Sequence, residues 1–254
     1  MNKFLLITGV NGQLAKRMLH YITSTTDFEV IGLDIHEEKD EITIDSFNLG
    51  LKHYYKCDLR IEMSIIETVN MFANENIFPT VLINNAAIDS IPKNNSRSTG
   101  LEFESFSDIF NVNVKAPIIL AKYLSDYWIK NKIAGNIINI SSIYSKVSPD
   151  PSNYSNGFIK NIFYGASKAA LNSTTQQLAV IFAKSGIKVN SLLLGGIFSE
   201  KQDDYFQLNY KIRVPMGRFL EIEEIFETIS LLLSERNSYM TGSIISLDGG
   251  YTSI

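Results

Sequence analysis

The run Lys3-Phe4-Leu5-Leu6-Ile7-Thr8-Gly9-Val10-Asn11-Gly12-Gln13-Leu14-Ala15-Lys16 passes from a continuous apolar stretch, through two glycines, into a helical pattern. The apolar stretch has the character of a strand covered on both faces. Gly9 and Gly12 permit a tight turn and a close backbone approach to a pyrophosphate, and Ala15 is small enough for close helix–strand packing. The start of the following helix offers free N–H groups and a partial positive charge to an anion. Asn11, Gln13 and Leu14 lie in the same turn and belong to this candidate dinucleotide site.

Outward from this turn the pattern repeats. Lys3–Thr8, Glu29–Asp34, His53–Asp58, Thr80–Asn84, Asn136–Ser141, Lys188–Leu194 and Ser243–Asp248 read as strands. Helix-like segments fall between them at 13–24, 60–75, 103–131, 163–185 and 221–235. Such alternation implies an α/β fold, and right-handed crossovers make it a Rossmann-type doubly wound parallel sheet of about seven strands with helices on both faces. No repeat or Gly/Ser/Pro-rich linker marks a boundary, so residues 1–254 are expected to form a single dinucleotide-binding and catalytic domain. Loops are expected at 36–47, with its acidic run Glu37 to Glu41, and at 89–100, 145–162 and 198–218. The last three follow strand ends, the edge where open α/β sheets bind ligands.

The composition narrows the options. With 254 residues, 45% hydrophobic and 20% charged, the chain can bury a sizeable core. A net charge of −4 lacks the basic footprint of a nucleic-acid binder. No apolar run reaches membrane-spanning length, and the apolar N-terminus is interrupted by Gly9 and Gly12 too soon for a signal peptide. The single cysteine, Cys57, reads as a buried small hydrophobe in a reducing compartment, so a cytoplasmic location is expected. Three scattered histidines and one cysteine argue against a metal site.

Two further features carry chemistry. Asp34 ends the second strand about 20 residues after the glycine turn, where a carboxylate accepts ribose hydroxyls and repels a 2′-phosphate; this favours NAD, with NADP left open by Lys16 and Arg17. Tyr164 and Lys168 stand four apart at the start of a helix and share a face. A nearby ammonium favours phenolate, so the phenol can exchange a proton with a carbonyl or alcohol oxygen while a nicotinamide carries hydride. Ser141 and Ser142 end the preceding strand, and either hydroxyl can reach the same cleft. Tyr154 is a second tyrosine in the intervening loop; Phe158 stands where its lysine would be needed, so it is expected to face substrate.

These features resemble the short-chain dehydrogenase/reductase family along nearly the whole chain. The markers occur in family order: the Gly9…Gly12 turn, Asp34, Asp58-Leu59, Asn84-Asn85-Ala86-Ala87, Asn111-Val112-Asn113-Val114, Ser141-Ser142, Tyr164…Lys168, Val189-Asn190, Gly195-Gly196 and Asp248-Gly249-Gly250. The resemblance implies that Tyr164 is the general acid/base, that Lys168 lowers its pKa and holds the nicotinamide ribose, and that Ser142 stabilises the reacting oxygen. It further implies that Asn113 positions a proton-relay water, with a mid-helix structural role as the alternative. Asp58 and Leu59 would lie by the adenine, Asn85, Ala86 and Ala87 along the cofactor groove, Gly195 and Ile197 by the nicotinamide, and Gly196 by substrate. A homodimer or homotetramer through helices 103–131 and 163–185 is also implied.

The chain departs from the family pattern in three places. The glycine turn is one residue short, the Ser142–Tyr164 gap is long, and Leu194 replaces a usual proline. The short turn, the Ser148-Pro149-Asp150-Pro151 insertion and Gly195-Gly196-Ile197-Phe198 resemble reductases of bacterial surface-sugar biosynthesis. The expected activity is NAD(H)-dependent interconversion of a secondary alcohol and a ketone on a polar, sugar-type small molecule. The alternatives are a ketoacyl or small-ketone reductase, a non-catalytic dinucleotide sensor or scaffold, and a sugar-nucleotide epimerase or dehydratase.

Overall fold

Seven parallel strands form one sheet in the order β3-β2-β1-β4-β5-β6-β7. They are β1 (Lys3–Thr8), β2 (Phe28–Asp34), β3 (His53–Lys56), β4 (Val81–Asn84), β5 (Asn136–Ser142), β6 (Lys188–Leu194) and β7 (Ile244–Leu247). The computed structural model describes residues 3–89, 100–155, 158–200 and 202–254. Most of the loop expected at 89–100, together with Asn156, Gly157 and Lys201, lies outside the described residues. The chain winds from β1 to β2 and β3, then returns to the other side of β1 with β4. The reversal between β1 and β4 leaves a crevice at the carboxyl edge, the natural ligand site of a doubly wound sheet.

The helices cover both faces, as the apolar strands require. On one face Ile65 of α3 (Glu62–Glu75), Leu120 of α5 (Ala116–Asn131) and Ala179 of α6 (Ile162–Phe182) pack over Leu6, Leu82 and Ile137. On the other, Met18 of α1 (Gln13–Thr25) and Ile225 of α8 (Glu224–Leu233) cover Leu5, Ile83 and Ile138. No described helix is long and apolar enough to cross a membrane.

Three segments differ from the sequence reading. The expected loop at 36–47 contains α2 (Glu41–Asn48). Thr43 and Ser46 of α2 hold the Asn11 side chain at 2.9 and 2.7 Å, a tertiary contact invisible in local composition. The expected loop at 198–218 contains α7 (Asp204–Arg213), whose first turn is capped by the Asp203 carboxylate accepting from the Phe206 amide at 2.7 Å. The helix expected at 103–131 is broken: α4 (Phe106–Phe110) passes through a π-helical turn, Asn111–Lys115, before α5. Such wide turns are frequent at functional sites.

A buried polar chain fixes α6 on the sheet. Asn84 Nδ2 donates to Asn139 Oδ1, and Asn139 Nδ2 to Thr175 Oγ1, each at 2.8 Å. Ser191 Oγ donates to Asn172 Oδ1, and Asn172 Nδ2 to Ser145 Oγ, again at 2.8 Å. Thr175 and Asn172 belong to α6, the helix that also carries Tyr164 and Lys168.

Candidate active site

The crevice between the β1 and β4 ends opens into a continuous groove with a cavity volume of about 710 Å³. Its floor at one end is the glycine turn. Gly9 has φ +64°, and a Cβ there would lie 2.9 Å from the Ala86 Cα, so a side chain is excluded on both counts. Thr8 Oγ1 accepts from the amides of Asn85 and Ala86 at 3.0 Å, clamping the β1 and β4 ends together. The Asn85 side chain adds a bond to the Thr8 carbonyl at 3.1 Å. Gly12, Gln13 and Leu14 line the groove where α1 begins, with no side chain capping the helix and no acidic residue in its first turn.

Asp34 reaches the groove at the end of β2. Its carboxylate accepts from the Asn11 amide at 3.0 Å, from the Ile35 amide at 2.8 Å, and pairs with His36 Nδ1 at 2.7 Å. Asn11 touches the groove, but its side chain points down to α2 and is fully engaged there. Asp58 and Leu59 form the next stretch of wall. Asp58 is gripped by Arg60, whose hydrogen bonds hold the carboxyl below its usual range. Ala87 and the largely buried Cys57 continue the wall, and burial pushes the Cys57 thiol pKa up.

The other half of the groove gathers Ser142, Tyr164 and Lys168 with Gly195, Gly196 and Ile197. Tyr164 and Lys168 share one face of α6, over the end of β5. Ser142 Oγ accepts from the Tyr144 amide at 3.3 Å, which leaves its own proton to give. Ser141 also lines the groove, but its buried hydroxyl has no partner among the described residues. Lys168 is buried, and its Nζ donates to the Ile140 carbonyl at 2.8 Å while standing 5.9 Å from the Tyr164 ring centre.

The electrostatics differ from the sequence expectation. The Tyr164 pKa is pushed up, by burial first and by the negative field of Asp89 second; a hydrogen bond with Ser142 acts in the opposite direction. Lys168 is not among the causes. Burial instead lowers Lys168 itself, to about 8, against an opposing pull from Asp89. The physical reason is dehydration. A phenol and an ammonium enclosed together each favour the neutral form, and the ammonium is turned toward a carbonyl.

Asn113 is the one expected site residue that does not reach the groove wall. Its Oδ1 accepts from the Ile88 amide at 2.8 Å, while Nδ2 donates to the Ile88 carbonyl and to Ser167 Oγ, each at 3.0 Å. The side chain therefore splices the π-helical turn to the strand β4 exit and to α6.

Tyr154 faces the groove from the insertion, edge-on to Phe158 at 5.0 Å. The sequence did not single out Tyr144, Phe206 or Tyr210 as site residues, yet all line this end, together with Lys160. Phe206 and Tyr210 come from α7 at i, i+4 spacing, the one local signal that could have found them. The Tyr210 hydroxyl accepts from the Gly196 amide, and its ring occupies the space a Cβ at Gly196 would need. Arg213, at the end of α7, pairs with Asp150 at 2.5 Å and donates to Asn153 Oδ1 at 3.0 Å, clasping α7 to the insertion.

The donor set fits a nicotinamide dinucleotide. An uncapped helix start suits a pyrophosphate, a carboxylate beyond β2 suits a ribose diol, and a phenol, ammonium and hydroxyl converge at the far end.

Comparison with known proteins agrees with this geometry. A family described as enoyl-(acyl carrier protein) reductase matches residues 22–252. Glucose 1-dehydrogenase 2 of Bacillus subtilis is 30% identical over 177 residues, covering 68% of this chain but only 64% of that enzyme. An uncharacterized oxidoreductase of Thermotoga maritima is 30% identical over 265 residues, covering 99% of this chain and 98% of its own. The crystal structure of a short-chain dehydrogenase from Leptospira borgpetersenii with bound NAD+ superposes with a TM-score of 0.84 at 28% identity, over 99% of this chain and 93% of that one. Sheet order, groove and sequence relatives together place this chain in the short-chain dehydrogenase/reductase family.

Proposed function

We propose that the chain is an NAD(H)-dependent oxidoreductase that interconverts a secondary alcohol and a ketone on a polar, sugar-type substrate. The observation that carries this reading is the convergence of Tyr164, Ser142 and Lys168 on one end of a groove whose other end is a glycine turn. When bound, the nicotinamide supplies or accepts the hydride. Tyr164, kept protonated by burial, gives its phenolic proton to the carbonyl oxygen of the substrate. Ser142 donates a hydrogen bond to the same oxygen and stabilises the charge that develops on it. Lys168, held by Ile140, lies where it can orient a ribose and support the phenolate left on Tyr164. Asn113 serves by positioning, holding the strand exit and α6 at a fixed separation.

Asp34 supports NAD over NADP, because its carboxylate would face a 2′-phosphate. The relative named for glucose, and the Asp89 and Lys160 side chains that line the groove beside Tyr164, support a hydroxylated substrate. One continuous sheet carries both the glycine turn and the Ser142 end of the groove, which supports a single working domain. Exposed Val180 and Ile181 on α6 support pairing of subunits through that helix, which light scattering of the purified protein tests. The buried free thiol of Cys57 suits a reducing, cytoplasmic setting.

The test is a titration with NADH and NADPH followed by a screen of keto-sugars and short ketones. Turnover with NADH that vanishes in Tyr164→Phe is expected. Cofactor binding without turnover would identify a sensor, and product formed without net change in NADH would identify an epimerase-type cycle.

A further inference from the structure

Beside Tyr164 the groove contains a full ion pair that neither gives nor takes the transferred proton. Lys160 Nζ donates to Asp89 Oδ2 at 2.6 Å, and both residues line the groove. Lys160 keeps only 11% of its side chain exposed and Asp89 34%, so the pair is largely desolvated. The Lys160 ammonium stands 5.0 Å from the Tyr164 ring centre and 5.4 Å from that of Tyr144. Groups attached next to a carbonyl held by Tyr164 would therefore meet this pair.

A surface tether would be the ordinary use of such a pair, but the described backbone next to each residue is held by other bonds. Ile88, next to Asp89, is already held through both its N–H and its C=O by Asn113. On the other side, Asn161 donates to the Glu102 carbonyl at 3.2 Å and to Ser105 Oγ at 2.9 Å, and Ile162 bonds the Gly100 carbonyl at 3.0 Å. The two charges are thus presented by backbones fixed independently of each other.

We propose that Asp89 and Lys160 determine specificity by recognising two adjacent hydroxyl groups on a neutral ketone substrate. The inference rests on the reading of Tyr164 as the proton donor. The carboxylate accepts from the two O–H groups, and the ammonium donates to their oxygens, so each member keeps a charge-assisted partner. A net-charged substituent is served less well. An anion drawn to Lys160 would meet Asp89 beside it, and a cation drawn to Asp89 would meet Lys160. An aliphatic ketone leaves the pair intact but gains nothing from it and places apolar carbon against two charges.

The experiment compares matched ketones with and without hydroxyls: erythrulose against butanone, and xylulose against 2-pentanone, each with NADH. The wild type is expected to favour the hydroxylated member in kcat/KM. Asp89→Asn and Lys160→Met are each expected to lose at least about tenfold on the hydroxylated ketones, mainly through KM. At neutral pH, below the alkaline limb, both variants should stay within about threefold of wild type on the aliphatic ones, which also reports that the fold is intact, and Lys160→Arg should recover part of the loss. Equal losses on both classes, or none, would overturn the specificity role. A wild type that reduces butanone in a Tyr164-dependent way without preferring erythrulose overturns the pair's role and leaves Tyr164 standing. A wild type that reduces none of the four overturns the pair's role, and turnover that persists in Tyr164→Phe overturns the reading beneath it.

Discussion

The Lys168 ammonium donates to the Ile140 carbonyl at 2.8 Å and stands 5.9 Å from the centre of the Tyr164 ring. The two residues share a helix face, yet they are not paired with each other. Tyr164, whose pKa burial pushes up further, holds its proton at neutral pH, which suits it to donate in the reducing direction.

Replacing Tyr164 by Phe removes the donated proton while leaving the ring in place. Reduction should fall by about 10²- to 10⁴-fold, the usual range for loss of a general acid. NADH binding, followed by fluorescence titration, should be unchanged; parallel loss of binding would mean that the residue serves the cofactor instead.

The pH dependence follows from the raised phenol. A group that must be protonated to act supports reduction below its pKa and fails above it, so reduction should persist well into the alkaline range. Oxidation needs the phenolate and should rise with pH. Asp89 is one cause of the elevation, so Asp89→Asn should move the alkaline limb of reduction to lower pH. Profiles of kcat/KM for both directions measure this, and an unmoved limb would remove Asp89 from the account.

Lys168 carries a stability cost. Its pKa falls from 10.5 to about 8 because the ammonium is buried. That displacement corresponds to roughly 3 kcal/mol for keeping the charge inside the protein. The cost is fully present below pH 8 and is relieved between about 8 and 10.5, where the unfolded chain still holds a proton that the folded one has lost. Lys168→Met should therefore abolish most activity yet raise the melting temperature, more at pH 6 than at pH 10. A lower melting temperature at pH 6 would show that the bond to Ile140 outweighs dehydration.

Asp34 does two jobs, and the choice of variant separates them. Its carboxylate caps the Asn11 and Ile35 amides besides facing the groove. Asp34→Asn keeps an acceptor for the turn but removes the charge, so the NADH-to-NADPH ratio of kcat/KM should fall about tenfold or more with little loss of stability. An unchanged ratio would transfer cofactor choice to another residue.

Gly9→Ala forces a side chain onto a backbone at φ +64° and into Ala86. A loss of about 1–3 kcal/mol in stability is expected, with weaker dinucleotide binding. Chemical denaturation and NADH titration together check it.

The sheet was legible because its strands are largely apolar runs, such as Phe4 to Ile7 and Val81 to Ile83. The groove half built from these strand ends was legible for the same reason. The short helices were not. Residues 41–48 and 204–213 are short and mix polar with apolar side chains, and they are held by distant partners: Asn11 for the first, Phe219 and Tyr251 stacked on Tyr210 for the second. The π-helical turn interrupts a sequence whose apolar spacing reads straight through. Asp89 and Lys160 lie 71 positions apart, so no spacing rule links them, and the lowered pKa expected for Tyr164 failed because sequence carries no measure of dehydration.

The amide and hydroxyl chain beneath α6 works as a keyed joint. Apolar contacts alone tolerate sliding, whereas each donor here has one matching acceptor. A slip of one helical turn, about 5.4 Å, would strand several buried groups at roughly 1–3 kcal/mol apiece. The rim built from α7 and the 145–162 segment is attached separately, through contacts such as Arg213 to Asp150. Grafting a foreign rim onto this scaffold should therefore retarget the enzyme while the proton-handling residues keep their addresses.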